Sequence, residues 1–141
     1  MKLHSGWLAA GLLVFAVLAC NVSKNGNSSS GPISEGYMAK DDNGQPGDKT
    51  NTFSPSDRTV HCVVKLNDPK EGQRLKFTWT VVDAEGTKDE KLKDIEYTTT
   101  DNKANIVHAH LTWSKDWPSG KYKCEVEVND KSEKTIDYFV K

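Results

Sequence analysis

Three imidazoles come nearest to a chemical constellation in this chain. His108 and His110 stand two positions apart, so on an extended strand they share one face. His61 lies in a second alternating stretch, between Val60 and Cys62. If the two stretches are neighbours in one sheet, all three rings meet on its outer surface. Three imidazoles approach the ligand set of Zn²⁺ or Cu²⁺. The simpler expectation is three exposed polar side chains. No His-Glu-x-x-His, Gly-x-Ser-x-Gly, P-loop or dinucleotide glycine fingerprint is present. Carboxylates are scattered, and acid–base work needs two held at a fixed separation in a cleft. The chain reads as non-catalytic, with no cofactor.

Two tryptophans offer recognition rather than reaction. Trp113 and Trp117 flank a turn. They either plug the open end of a sheet structure beneath Tyr122, which is the expectation, or form an exposed patch for a partner or glycan.

The elements that must position these residues are strands. Period-two alternation runs through residues 59–66, 74–83, 91–100, 105–113, 121–129 and 134–141. The clearest run sets Tyr122, Cys124, Val126 and Val128 against Lys121, Lys123, Glu125 and Glu127. Such alternation marks half-buried strands. Turn residues separate them, as at Asn67-Asp68-Pro69, Glu85-Gly86 and Asn129-Asp130. With an edge strand near residues 52–56 the total is about seven, which predicts an all-β antiparallel sandwich over residues 49–141.

Cys62 and Cys124 fall on inward positions of the second and sixth strands. Trp79 follows Cys62 by 17 residues, and Tyr122 precedes Cys124 by two. This spacing resembles the immunoglobulin fold. The resemblance implies a Cys62–Cys124 disulfide between the sheets, Trp79 packed on it, and Tyr122 tying a corner. Pro118 stands where antibody domains carry an Asp six residues before the second Cys, so their salt bridge is not implied. The runs Trp117-Pro118-Ser119-Gly120-Lys121-Tyr122 and Phe53-x-Pro55-x-Asp57 are similar to those of immunoglobulin-like bacterial lipoproteins of unassigned function.

The other end of the chain reads as an address. Residues 7–19 form a mostly apolar run of 13, short of the roughly 20 needed to span a bilayer and suited to a signal peptide over residues 1–19. Val17-Leu18-Ala19-Cys20 resembles a bacterial lipobox. That implies cleavage before Cys20 and lipid on its thiol, with Asn21 pointing to the outer membrane. The chain has three cysteines, and lipidation of Cys20 removes the odd one from the count. Residues 20–48 follow as an expected flexible tether, because 19 of residues 21–48 are Gly, Ser, Asn, Asp or Pro.

A formal net charge of −1, with lysines interspersed among acids, excludes the clustered basic face of a nucleic-acid binder. The expectation is a non-catalytic binding or structural module on the cell envelope, engaging a protein partner through loops at one sandwich end or an exposed sheet edge. The alternatives are a regulator or inhibitor of an exported enzyme, acting through residues 83–93, and a metal-binding periplasmic protein.

Overall fold

The computed structural model describes residues 31–141, so the expected signal peptide, Cys20 and the first part of the tether lie outside the described residues. Nine strands occur: β1 (Ile33–Asp42), β2 (Gln45–Lys49), β3 (Thr52–Phe53), β4 (Thr59–Leu66), β5 (Arg74–Ala84), β6 (Thr87–Thr98), β7 (Ile106–Thr112), β8 (Gly120–Val128) and β9 (Lys131–Val140). They form two sheets, ordered β2-β1-β4-β7 and β3-β9-β8-β5-β6. Pairing is antiparallel except between β3 and β9.

Alternation builds the core. Val60, Cys62 and Val64 of β4 and Val107, Ala109 and Leu111 of β7 face Leu75, Phe77 and Trp79 of β5 and Tyr122, Cys124 and Val126 of β8. All are buried. Burying a side chain of this size contributes about 1.5–3 kcal/mol. Gly120 marks a close approach of β8 to β5, since a Cβ there would lie 2.3 Å from the Asp83 carbonyl oxygen and 2.6 Å from Ala84 Cα.

The tether is shorter than the composition suggests. Residues 33–49 form the β1–β2 hairpin instead of a flexible segment, which brings the strands to nine and starts the folded unit near residue 31. A β-bulge hides β1 from a pattern search. Ile33 pairs with Leu66, but Glu35 already pairs with Lys65. Ser34 is thus the extra residue, and the inward phase shifts from Ile33 to Met38. The turn itself is Asn43-Gly44, with φ of 53° and 86°. Both values are left-handed, as a two-residue hairpin of this twist requires. Glu35 then bridges three strands: its carboxylate lies 2.7 Å from Lys49 Nζ and 2.9 Å from Lys65 Nζ. The Lys49 hydrogen bond is the main cause of its depression to about 2.

Candidate functional site

One end of the sandwich is built almost wholly from rings. Residues 54–58 form a compact turn in which the Ser54 amide donates to Asp57 Oδ2 at 2.8 Å. That turn captures both tryptophans. The Trp117 amide donates to the Pro55 carbonyl at 2.9 Å, and the Trp113 amide to the Arg58 carbonyl at 2.8 Å. Trp117 Nε1 reaches the same Arg58 oxygen at 3.3 Å. Trp113 stacks on Trp117 at 5.4 Å between ring centroids. Trp117 meets Tyr122 edge-on at 5.3 Å, and Tyr122 stacks on Tyr138 at 5.3 Å.

The expected tyrosine corner is present: Tyr122 Oη donates to the Pro118 carbonyl at 2.5 Å. Burial, then the nearby Glu85 charge, pushes the Tyr122 phenol up to about 12. Trp117 is buried and plugs the end as expected. Trp113 is only half-buried. Beside it opens a pocket of about 160 Å³, lined by Val81, Thr87, Glu90, Leu92, Trp113 and Pro118 among others.

Residues 83–93, expected as a charged loop, are instead the distal part of the β5–β6 hairpin, turning at Glu85-Gly86 with φ of 46° and 86°. The hairpin supplies Thr87, Glu90 and Leu92 to the pocket wall, residues that sequence reasoning did not single out. The available signal was Leu92, the one apolar residue in the charged run 88–94.

The three histidines do converge. β4 and β7 are neighbours, with His61 opposite His110. The His61 ring lies 5.5 Å from that of His108 and 5.4 Å from that of His110. His110 is exposed as expected and His108 is half-buried, whereas His61 departs from the expectation. His61 is fully buried, and its Nε2 is taken up by Asp41 Oδ1 at 2.7 Å. That contact with His61 is the main cause of a lowered Asp41 carboxyl. Among the described residues no group of three His, Cys, Asp or Glu side chains is arranged to hold a metal ion. The three rings form an imidazole cluster with one carboxylate partner, Asp41. Asp41 was missed because it sits on β1, which the bulge concealed.

Cys62 and Cys124 face one another between the sheets, both buried and both free thiols rather than a formed disulfide. Burial, then the hydrogen bond that the Cys124 thiol donates to Cys62, pushes the Cys124 thiol up. Trp79 is paired with Cys124 across β5 and β8, and both are buried in the same core.

No protein-family model and no curated protein matches this chain. Among solved structures, an immunoglobulin-like protein from Pseudomonas aeruginosa is similar, with a TM-score of 0.54 at 9% identity over 76% of this chain and 92% of that one. The fold is immunoglobulin-like. At this identity the likeness extends to the fold alone. The alkylpurine DNA glycosylase AlkC of Pseudomonas fluorescens shares 11% identity with a TM-score of 0.41, over 64% of this chain and 27% of that one. Among the described residues, β7 has no neighbouring strand on its far side.

Proposed function

We propose that this chain is an exported, lipid-anchored, non-catalytic binding module of the bacterial envelope. It receives an apolar side chain of a protein partner in the aromatic pocket between Trp113 and Leu92. The preformed pocket supports this reading above all else. Its walls are fixed by backbone hydrogen bonds from Trp113 and Trp117 to the turn at residues 54–58, so little ordering opposes binding. Its volume of about 160 Å³ lies below the roughly 300–1,000 Å³ of small-molecule sites and suits a single Leu- or Phe-sized group. Glu90 at the rim favours a partner with a basic residue beside that group. The resemblance of Val17-Leu18-Ala19-Cys20 to a lipobox supports a lipid anchor, and Asn21 supports the outer membrane. The second reading, regulation of an exported enzyme, draws on the charged β5–β6 hairpin, whose tight turn presents Lys88, Asp89, Glu90 and Lys91 on a fixed element.

Photo-crosslinking on intact membranes tests the site. A photoreactive residue at Thr87 should yield one protein adduct that Trp113→Ala suppresses. The same residue at Thr98, at the other end of the hairpin, should yield none. No adduct at Thr87, or equal adducts at both positions, overturns the pocket. An adduct with an exported hydrolase selects the second reading. Cys20→Ser should move the chain from the membrane to the soluble fraction, and a chain that stays with the membrane overturns the anchor.

A further inference from the structure

β7 is the last strand of its sheet, and its backbone polarity can be assigned residue by residue. The Leu66 amide donates to the Asn105 carbonyl and the Trp113 amide to the Arg58 carbonyl, each at 2.8 Å. Between these brackets Val64 pairs with Val107, Cys62 with Ala109 and Val60 with Leu111. Odd-numbered residues therefore direct N–H and C=O toward β4. Ile106, His108, His110 and Thr112 direct theirs to the open side, where no strand among the described residues receives them.

The other sheet edges are guarded. β6 carries Lys, Asp and Glu along its length, a left-handed residue at Asp89 with φ of 49°, and a bulge where Trp79 pairs with Lys93 but Thr80 with Lys91. β2 contains Pro46 and Gly47, and β3 has two residues. Charges, prolines, bulges and shortness are the means by which proteins prevent edge pairing. β7 has none of them. Its seven residues, Ile-Val-His-Ala-His-Leu-Thr, contain no Asp, Glu, Lys, Arg, Pro or Gly, and its register against β4 is unbroken. Ile106 is 56% exposed on it.

We propose that β7 is the interface of a symmetric dimer, pairing antiparallel with β7 of a second copy about a two-fold axis at Ala109. The sequence is self-complementary about that point. Val107 falls opposite Leu111, His108 opposite His110 and Ile106 opposite Thr112, so core-facing residues meet core-facing residues and outer-face residues meet their like. The same register puts the open N–H and C=O groups of the even-numbered residues in hydrogen-bonding positions, with Ala109 against Ala109 as a non-hydrogen-bonded pair. A shift by one residue would set inward against outward, and a shift by two would shorten the overlap. The two four-stranded sheets become one continuous sheet through an isologous contact, the commonest symmetry for such assemblies. One strand pair buries less than the roughly 1,200 Å² of a stable complex, so the dimer is weak and reversible.

Sedimentation equilibrium of the intact chain in density-matched detergent tests this. The wild type should show a reversible monomer–dimer equilibrium. Ile106→Lys combined with Thr112→Lys sets like charges opposite one another across the axis. Both positions are exposed in the monomer, so the melting curve should hold while association weakens at least ten-fold. His110→Pro removes an amide directed to the open side and should do the same, whereas His110→Thr should leave the dimer intact. A wild type that stays monomeric to about 100 micromolar, or a double lysine variant that dimerises like the wild type, overturns the proposal.

Discussion

At the level of single residues, one buried and one half-buried polar group set measurable expectations. Tyr138 Oη is buried and meets no hydrogen-bonding group among the described residues, while its ring is held by Phe53 at 5.5 Å and by Tyr122. Burial holds its phenol well above the usual range. Removing an unpaired hydroxyl sacrifices no bond. Tyr138→Phe should therefore leave the unfolding free energy from urea melts unchanged or raise it, and a loss of more than about 1 kcal/mol would show that the hydroxyl is satisfied. His108 gives a pH dependence. Burial first, then the neighbouring His61 on β4 and His110 on β7, depresses it below the ordinary 6.5; Asp41 of β1 meets the cluster through His61. Above pH 6.5 His108 is neutral in both folded and unfolded chains and adds no slope. As pH falls below 6.5 the unfolded chain takes up the proton first, so stability drops until the folded ring is protonated too. Thermal midpoints from pH 7.5 to 4.5 should fall for the wild type and fall less for His108→Asn. An identical slope in both would place the titration elsewhere.

Among the elements, the sequence made β4 to β9 plain and concealed β1 and β2, and the reason is local. The strands of the inner sheets keep strict alternation, as in Tyr122, Cys124, Val126 and Val128. β1 loses it at Ser34, and β2 is all polar and Gly/Pro because it packs on one neighbour only. Pattern alone therefore read the hairpin as tether, although Asn43-Gly44 was a turn signal in plain view. The aromatic pocket was half legible for a related reason. Trp113 and Trp117 stand out by type, but Thr87, Glu90 and Leu92 join them only through the register of β5 and β6. The histidine face was legible as a meeting of strands, while the burial of His61 depended on the concealed β1. The domain boundary is testable. A chain starting at residue 49 loses the buried Ile33 and Met38 and strips β4 of a partner strand. At about 1.5–3 kcal/mol for each of the two side chains, against a typical total near 5–15 kcal/mol, it should be largely unfolded by circular dichroism. A chain starting at residue 31 should show the melting transition of the longer one. Equal melting of both would restore the tether reading.

For the molecule as a whole, the two sheets are joined by packing alone as long as Cys62 and Cys124 are thiols. Their placement nevertheless suits a covalent link, since each lies buried on the inward face of a different sheet and the two side chains are within hydrogen-bonding reach. A raised thiol pKa leaves little thiolate to attack an oxidant, and the folded sandwich shields both sulfurs from reagents. On the proposed reading of an exported chain, a Cys62–Cys124 disulfide would form during folding, before the sheets close. On the same reading, with Cys20 lipidated, the protein recovered from membranes and denatured without reductant should show no free thiol. The same chain made in a reducing compartment should show both core thiols only after unfolding. Closing a loop of about 63 residues should raise the stability of the oxidised form by roughly 4 kcal/mol, read as a higher urea midpoint than that of Cys62→Ala combined with Cys124→Ala. Two free thiols in the exported protein would mean that core packing and the pinned aromatic end hold the sheets together unaided.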